Sequence, residues 1–247
     1  MSENQGQTLE EHVHIDFVNI RDNQLNHIIR GMQQTGFHKW GFVIYRCTYS
    51  DDAAWLRYVH YMRNTIMESL ELHDLQLLLS KYLYIPVIED RERLDGASKT
   101  VVRNTFAEKA DRERKRDQGG PGTATIFAKM LPRFNYCLYV DRACLGTLLA
   151  REQWEREEQQ GQHEHDMPPD VVCAIIDTDC EPEGEGKDGY EPVEGCTRYF
   201  PGWMYCCLDL LTPLYNRLHH QELIDGWQTY ERPPGIANAL GGQRMPL

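Results

Sequence analysis

No apolar run in the chain approaches the roughly 18 residues that a membrane-spanning helix needs. The stretch MSENQGQTLEEHVHIDF at the N-terminus has no basic segment followed by an apolar one, so it does not read as a secretory signal. Together these absences lead to the expectation of a cytoplasmic protein that makes no use of a membrane. There is no CxxC pair, which removes the usual layout of a structural zinc site although the chain holds eight cysteines. Nucleotide hydrolysis is disfavoured as well. No P-loop occurs, and the glycine-rich stretch QGGPGTAT (118–125) lacks the lysine and the following helix that phosphate binding calls on. No GxSxG elbow presents a nucleophilic serine, and no two histidines have the i, i+4 spacing of a zincin. Histidines come as HVH (12–14), HEH (163–165) and HH (219–220), each in a polar segment where a solvated surface position is expected. No cofactor and no metal is implied by any of these patterns.

Basic residues are also scarce. Lys and Arg number 26 against 38 Asp and Glu, and the formal charge of −12 argues against a broad nucleic-acid-binding surface. The deficit is uneven, however. Residues 99–116 carry seven basic groups and three acids, a local +4 that leaves −16 for the remainder.

What is present is a core. Apolar residues make up 41% of the 247, enough for one large globular domain. Strands are expected at 40–49, 82–90, 134–141, 171–179 and 202–210, with Pro86 pushing the second toward a sheet edge. Cys47, Cys137, Cys173, Cys206 and Cys207 fall inside these runs, where a reduced thiol acts as a small hydrophobe. Helices are expected at 22–33, from Asp52 to about Leu72, over 99–117, from Arg142 to about Gln159 and over 211–222. The second of these carries Trp55, Tyr58, Val59, Met62, Ile66 and Leu70 at helical spacing, and the third carries Val102, Phe106 and Ala110. The segment 177–194, with eight acids and one lysine, reads as an exposed loop with little structure.

The fourth and fifth strands have no helix between them. An α+β single domain is therefore expected, with a five-stranded, mainly antiparallel, ferredoxin-like sheet packed with helices; a doubly wound α/β sheet is the alternative. Residues 1–36 read as a polar extension with a docking helix, 37–236 as the domain and 237–247 as a tail.

Three constellations can carry chemistry. The stretch WGFVIYRCTYSDDAAW (40–55) places Arg46 at the end of a buried strand and Asp51 and Asp52 at the start of a helix. One aspartate suffices as an N-cap, a role worth about 1 kcal/mol; the second leaves room for a carboxylate site or a buried ion pair. EDRERLDGAS (89–98) adds Asp90 at a strand end and Asp95 in a glycine turn. If the first two strands are neighbours, these acids converge on one sheet edge and suit a guanidinium, an amine or a metal ion. On helix 99–117, Lys109, Arg112 and Arg116 share one face at i, i+3, i+7, which suits either solvent or the phosphates of a short RNA.

The blocks WGFVIYRCTYSDDAAW, EDRERLDGASKTVVRNTF, YCLYVDRACL, PVEGCTRYFPGWM and YERPPGI, in that order from about residue 40 to 236, resemble a large family of ascomycete fungal proteins. The chain is similar in turn to the fungal arginine-containing cyclodipeptide synthases, which join arginine from its aminoacyl-tRNA to a second amino acid and release a diketopiperazine. That resemblance implies aminoacyl-tRNA and small amino acids as partners. It implies Asp51 and Asp52, with Trp55 and Trp203, for the amine or guanidinium, and Asp90 or Asp95 as base. Arg46 would support an oxyanion, Tyr45 and Ser98 a proton relay, and Arg103, Lys109, Arg112 and Arg116 the tRNA. Bacterial cyclodipeptide synthases use a serine in a strand-to-helix elbow, and no serine here has that setting. The competing expectation is a non-catalytic binding protein whose acidic loop engages a basic partner.

Overall fold

The computed structural model describes residues 8, 9, 11, 25–117, 131–161, 167–180, 189–224 and 230–237. Six strands form one sheet: β1 (Val43–Arg46), β2 (Val87–Ile88), β3 (Tyr136–Val140), β4 (Val172–Asp177), β5 (Trp203–Cys207) and β6 (Ile236–Ala237), in the order β2-β1-β3-β4-β5-β6. Eight helices are found among the described residues: α1 (Asn26–Thr35), α2 (Asp52–Leu72), α3 (Gln76–Leu79), α4 (Arg91–Leu94), α5 (Lys99–Asp117), α6 (Pro132–Asn135), α7 (Arg142–Glu158) and α8 (Leu211–Arg217).

The α+β class holds, but the sheet is mixed and six-stranded rather than five-stranded and mainly antiparallel. β1 pairs in parallel with both β2 and β3, β5 pairs in parallel with β6, and only β4 runs against its two neighbours. The reason lies in the connections. α2, 21 residues long, is a crossover that returns the chain to the edge from which β1 started, so β2 must run parallel to it. The β4 to β5 link lacks a helix, as the sequence suggests, and there the strands are antiparallel neighbours. β2 is an edge strand, which suits Pro86 just before it. The last strand includes Ala237, one residue past the expected domain boundary.

Register fixes two faces. Tyr45, Tyr139, Ala174 and Tyr205 stand in one row across the sheet, on the side where Tyr45 meets Phe106 of α5 with ring centroids 6.3 Å apart. Arg46 and Val140 belong to the other side, where Tyr58 of α2 donates its hydroxyl to the main-chain carbonyl of Val172 in β4 at 2.6 Å. α5 thus covers one face, and α2, α7 and α8 the other. The expected stripes are buried: Trp55, Tyr58, Met62, Ile66 and Leu70 in α2, and Val102, Phe106 and Ala110 in α5.

α1 has Leu25 ahead of it in a left-handed conformation and no cap of its own. Asn216 of α8 supplies one. Its Oδ1 accepts from the backbone N–H of His27 at 2.9 Å and of Ile28 at 3.2 Å. Leu25, Ile28, Ile29 and Met32 are buried.

Candidate functional site

The strand-to-helix corner is built as the sequence suggests, but its groups are already engaged. Asp51 Oδ1 accepts from the Ala54 N–H at 2.8 Å and caps α2. Arg46, 6% exposed, is held on three sides. It donates from Nε to the Thr48 carbonyl at 2.9 Å, contacts Glu89 Oε1 at 3.3 Å, and forms an ion pair with Asp52. Its guanidinium also lies over the rings of Tyr49 and Trp55, at 4.3 and 5.0 Å from their centroids, while Trp55 donates Nε1–H to Glu89 at 2.7 Å. Asp90 caps α4 by accepting from the Arg93 N–H at 3.2 Å, Asp95 closes the same helix, and Ser98 accepts from the Val101 N–H at 3.3 Å at the start of α5. Tyr45 projects to the opposite face from Arg46, because successive residues of a strand alternate. Its hydroxyl is buried without a partner, and burial pushes the phenol up. These groups order a corner, and Tyr45 and Arg46 cannot share a site.

Two further assignments move. Trp203 packs on a buried cation of its own chain: Lys99 Nζ sits 3.9 Å from the Trp203 ring centroid and 4.7 Å from that of Tyr139, and contacts Glu194 at 2.5 Å. Arg103, expected on an RNA-facing surface, is 4% exposed. Its Nε donates to the Asp177 carbonyl and its Nη2 to that of Gly202, both at 2.9 Å. Gly202 has φ +79, and a Cβ there would collide with the guanidinium. On the helix, Arg103 precedes Phe106 by three residues and Ala110 by seven, which puts it on the buried stripe. Arg112 does face outward, whereas Lys109 is half-buried and 3.7 Å from Glu113. The Arg116 side chain, the glycine-rich stretch, HVH, HEH and the centre of the acidic segment lie outside the described residues.

An open, acid-lined space lies at the opposite end of the strands. Because β4 runs against its neighbours, its last residue, Asp177, stands beside Tyr136, the first of β3, and away from the Arg46 corner. A cleft of about 560 Å³ opens there, lined among others by Asp177, Asp179, Glu222, His219 and Phe200. Asp177 is 8% exposed and accepts from the Asp179 N–H at 2.9 Å. Burial is the largest cause that pushes its carboxyl up to about 6; the charges of Asp179 and Glu222 add to this, while the Asp179 hydrogen bond and Arg103 oppose it. His219, expected on the surface, is a correction. Its ring packs against Gly31 of α1, where a Cβ would collide with it, and against Tyr215 at 5.5 Å. Burial lowers it to about 3, with His27 and His220 adding to the effect, and its Nε2 has no partner.

The cleft therefore joins a carboxyl that titrates near neutrality to an imidazole that stays neutral. Their surroundings separate their protonation states, as in acid–base sites. Sequence reading missed both residues, yet each left a signal. Asp177 ends an otherwise apolar strand, VVCAIID, and His219 follows the buried Tyr215 of α8 by four residues, just past the end of that helix. Among the described residues no helix is long and apolar enough to cross a membrane, and no cluster of three metal-binding side chains occurs. Comparison with family models, with curated proteins and with solved structures finds no match to this chain.

Proposed function

We propose that the protein is an aminoacyltransferase that takes activated amino acids from aminoacyl-tRNA and forms an arginine-containing cyclic dipeptide, with the reaction centred on the Asp177 cleft. The carrying observation is the Asp177 carboxyl, pushed up to about 6 and facing an acid-lined cleft of about 560 Å³. That volume falls within the range of small-molecule sites. The resemblance of five sequence blocks to the fungal family supports the same reading.

An aminoacyl ester is already activated, so the protein has to supply an amine in its free form and a route for one proton. Asp177 takes a proton from the ammonium of the acceptor. The freed nitrogen attacks the ester carbonyl carbon, the C–N bond forms, and the C–O bond to the ribose breaks. The proton held by Asp177 passes to the leaving ribose oxygen, and the carboxylate so regenerated takes the proton that the new amide nitrogen sheds and returns it to solvent. The acceptor is itself still esterified to its tRNA, so a second, intramolecular attack by the remaining amine on that ester carbonyl closes the ring, breaks the second C–O bond and releases the second ribose hydroxyl. Asp179 and Glu222 provide the negative lining that favours a guanidinium, and neutral His219 adds a hydrogen-bonding nitrogen without an opposing charge. Asp51, Asp52, Asp90 and Asp95 keep structural roles in this reading.

The test is to incubate the purified protein with charged tRNAs and follow products by mass spectrometry. An arginine-containing cyclic dipeptide is expected, with the rate falling by about 10²–10⁴ in Asp177→Asn and persisting in Asp51→Ala and Asp90→Ala. Absence of a cyclic dipeptide with every charged tRNA overturns the reading.

A further inference from the structure

A second cluster lies beside the cleft, on the far side of α6, and no role has been given to it. Arg133 of α6 is 2% exposed and donates from Nη1 to the carbonyls of Gly41 at 3.2 Å and Tyr84 at 3.1 Å. Its Nε is buried without a partner, and the nearest carboxylate, Glu113 of α5, is 3.9 Å from Nη2. Its guanidinium lies 4.8 Å from the centre of the Tyr84 ring, and Lys39 Nζ lies 5.0 Å from the centre of the same ring. Tyr84 remains 43% exposed and Lys39 is exposed. Glu113 also contacts the half-buried Lys109, so the cluster continues along α5, where Arg112 is exposed and donates to the Glu108 carbonyl at 3.2 Å.

Arg133 and Lys109 thus share one carboxylate, Glu113, Arg133 and Lys39 flank the exposed Tyr84 ring, and Arg112 adjoins Glu113 in the chain. On a chain of formal charge −12 this is a local reversal of sign. Neither Lys39 nor Arg112 has a carboxylate partner among the described residues, so the excess is not neutralised within them. Such a surface attracts a polyanion. The flat, partly uncovered ring adds a stacking partner that a lipid headgroup or an acidic peptide does not use and an unpaired base does. Asn135, two residues after Arg133 in the same helix, lines the cleft, so a strand held here lies next to it.

We infer that the surface formed by Lys39, Tyr84, Lys109 and Arg112 over Arg133 binds single-stranded RNA, with the cations on phosphates and Tyr84 under a base. The inference rests on the aminoacyl-tRNA reading, since it names the surface that receives the unpaired end of that substrate. It extends the basic face of α5 to residues far away in sequence.

The experiment measures binding of a short fluorescein-labelled single-stranded RNA to the full chain by anisotropy across a salt series. Wild type is expected to bind with a clear salt dependence. The triple variant Lys39→Ala, Lys109→Ala, Arg112→Ala raises Kd at low salt by about tenfold or more, and its slope of log Kd against log salt falls by about 2, since each lost phosphate contact on a single strand removes about 0.7. Tyr84→Ala weakens binding without changing the slope, and Tyr84→Trp restores it. Thermal melting confirms that each variant is folded. Lack of RNA binding by wild type at low salt, or an unchanged Kd and slope in the folded triple variant, overturns the inference. So does binding of heparin or anionic vesicles as tight as that of RNA with no effect of Tyr84→Ala, which makes the surface a general anion patch. RNA binding without any cyclic dipeptide sinks the catalytic reading alone; product formation at full rate from tRNA in the triple variant sinks this inference alone.

Discussion

The main-chain oxygen of Asp177 accepts a hydrogen bond of 2.9 Å from Nε of Arg103, across 74 residues of sequence. The guanidinium of a helix on one face of the sheet thereby fixes the backbone whose carboxyl serves the other. Arg103→Met is expected to leave the Asp177 and Gly202 carbonyls without this donor and to cost about 2–3 kcal/mol. Gly202→Ala is expected to destabilise similarly, through positive φ and collision with the guanidinium. Urea unfolding of both variants measures this, and a cost below about 0.5 kcal/mol would show that Arg103 is a surface-like residue.

Asp177 and His219 make opposite contributions to stability over one pH range. Asp177 has a folded pKa of about 6, raised above its ordinary value of 3.8, so the folded state binds more protons between about 4 and 6 and stability falls as pH rises through that window. His219 has a folded pKa of about 3, below its ordinary 6.5, so the unfolded state binds more protons between about 3 and 6.5 and stability rises with pH there. The two slopes cancel where the windows overlap. Relative to wild type, Asp177→Asn is expected to gain stability as pH rises from about 4 to 6, and His219→Gln to lose it. Chemical denaturation at several pH values decides, and parallel profiles for all three proteins would refute the coupling.

The Lys99 ion pair is uneven, with a lysine side chain 4% exposed facing a glutamate 48% exposed. Removing the carboxylate leaves an enclosed ammonium among the rings of Trp203, Tyr139 and Tyr205, whereas Lys99→Met replaces the ammonium with an apolar end that packs on the same rings. Glu194→Ala is therefore expected to cost more than Lys99→Met, by about 1 kcal/mol after allowance for water at the glutamate. The ranking of the two melting temperatures is the measurement. The reverse order would show that the ammonium itself holds the site.

At the corner, Asp51→Ala is expected to cost about 1 kcal/mol through loss of the α2 cap. Arg46→Met is expected to cost more, because Glu89 and Asp52 lose their shared cation while Tyr49 and Trp55 lose the group between them. Neither change touches the Asp177 cleft, so product formation per folded molecule should persist. Loss of turnover in folded Asp51→Ala would return the active site to this corner.

How much of this was legible in the sequence depends on the kind of signal. The extents of α2 and α5 follow from a 3.6-residue apolar period and from caps at Asp51 and Ser98, both local in the chain. Strand direction was not legible. β1, β3, β4 and β5 are buried at every position, so no alternation separates an antiparallel half-solvated sheet from a mixed one covered on both faces. The candidate site was misplaced for a related reason. Acids near strand ends were visible at Asp51 and Asp90, but they cap helices, whereas the carboxyl that faces open space is set at the opposite end of the strands by the reversal of one strand, β4. Arg103 and Arg112 look alike in composition, and only their positions relative to Phe106 and Ala110 tell the buried one from the exposed one.

The borrowed cap on α1 orders events during synthesis. Asn216 lies 188 residues beyond Ile28, so while the ribosome is still making the sheet, α1 has emerged with its first amides unanswered. The helix can form only transiently at that stage, since short isolated helices are marginal in water. Its docking becomes possible once α8 has left the exit tunnel, which makes the closing of the first helix one of the last steps in the assembly of the molecule. Until then Leu25, Ile28, Ile29 and Met32 remain an exposed apolar stripe on the nascent chain.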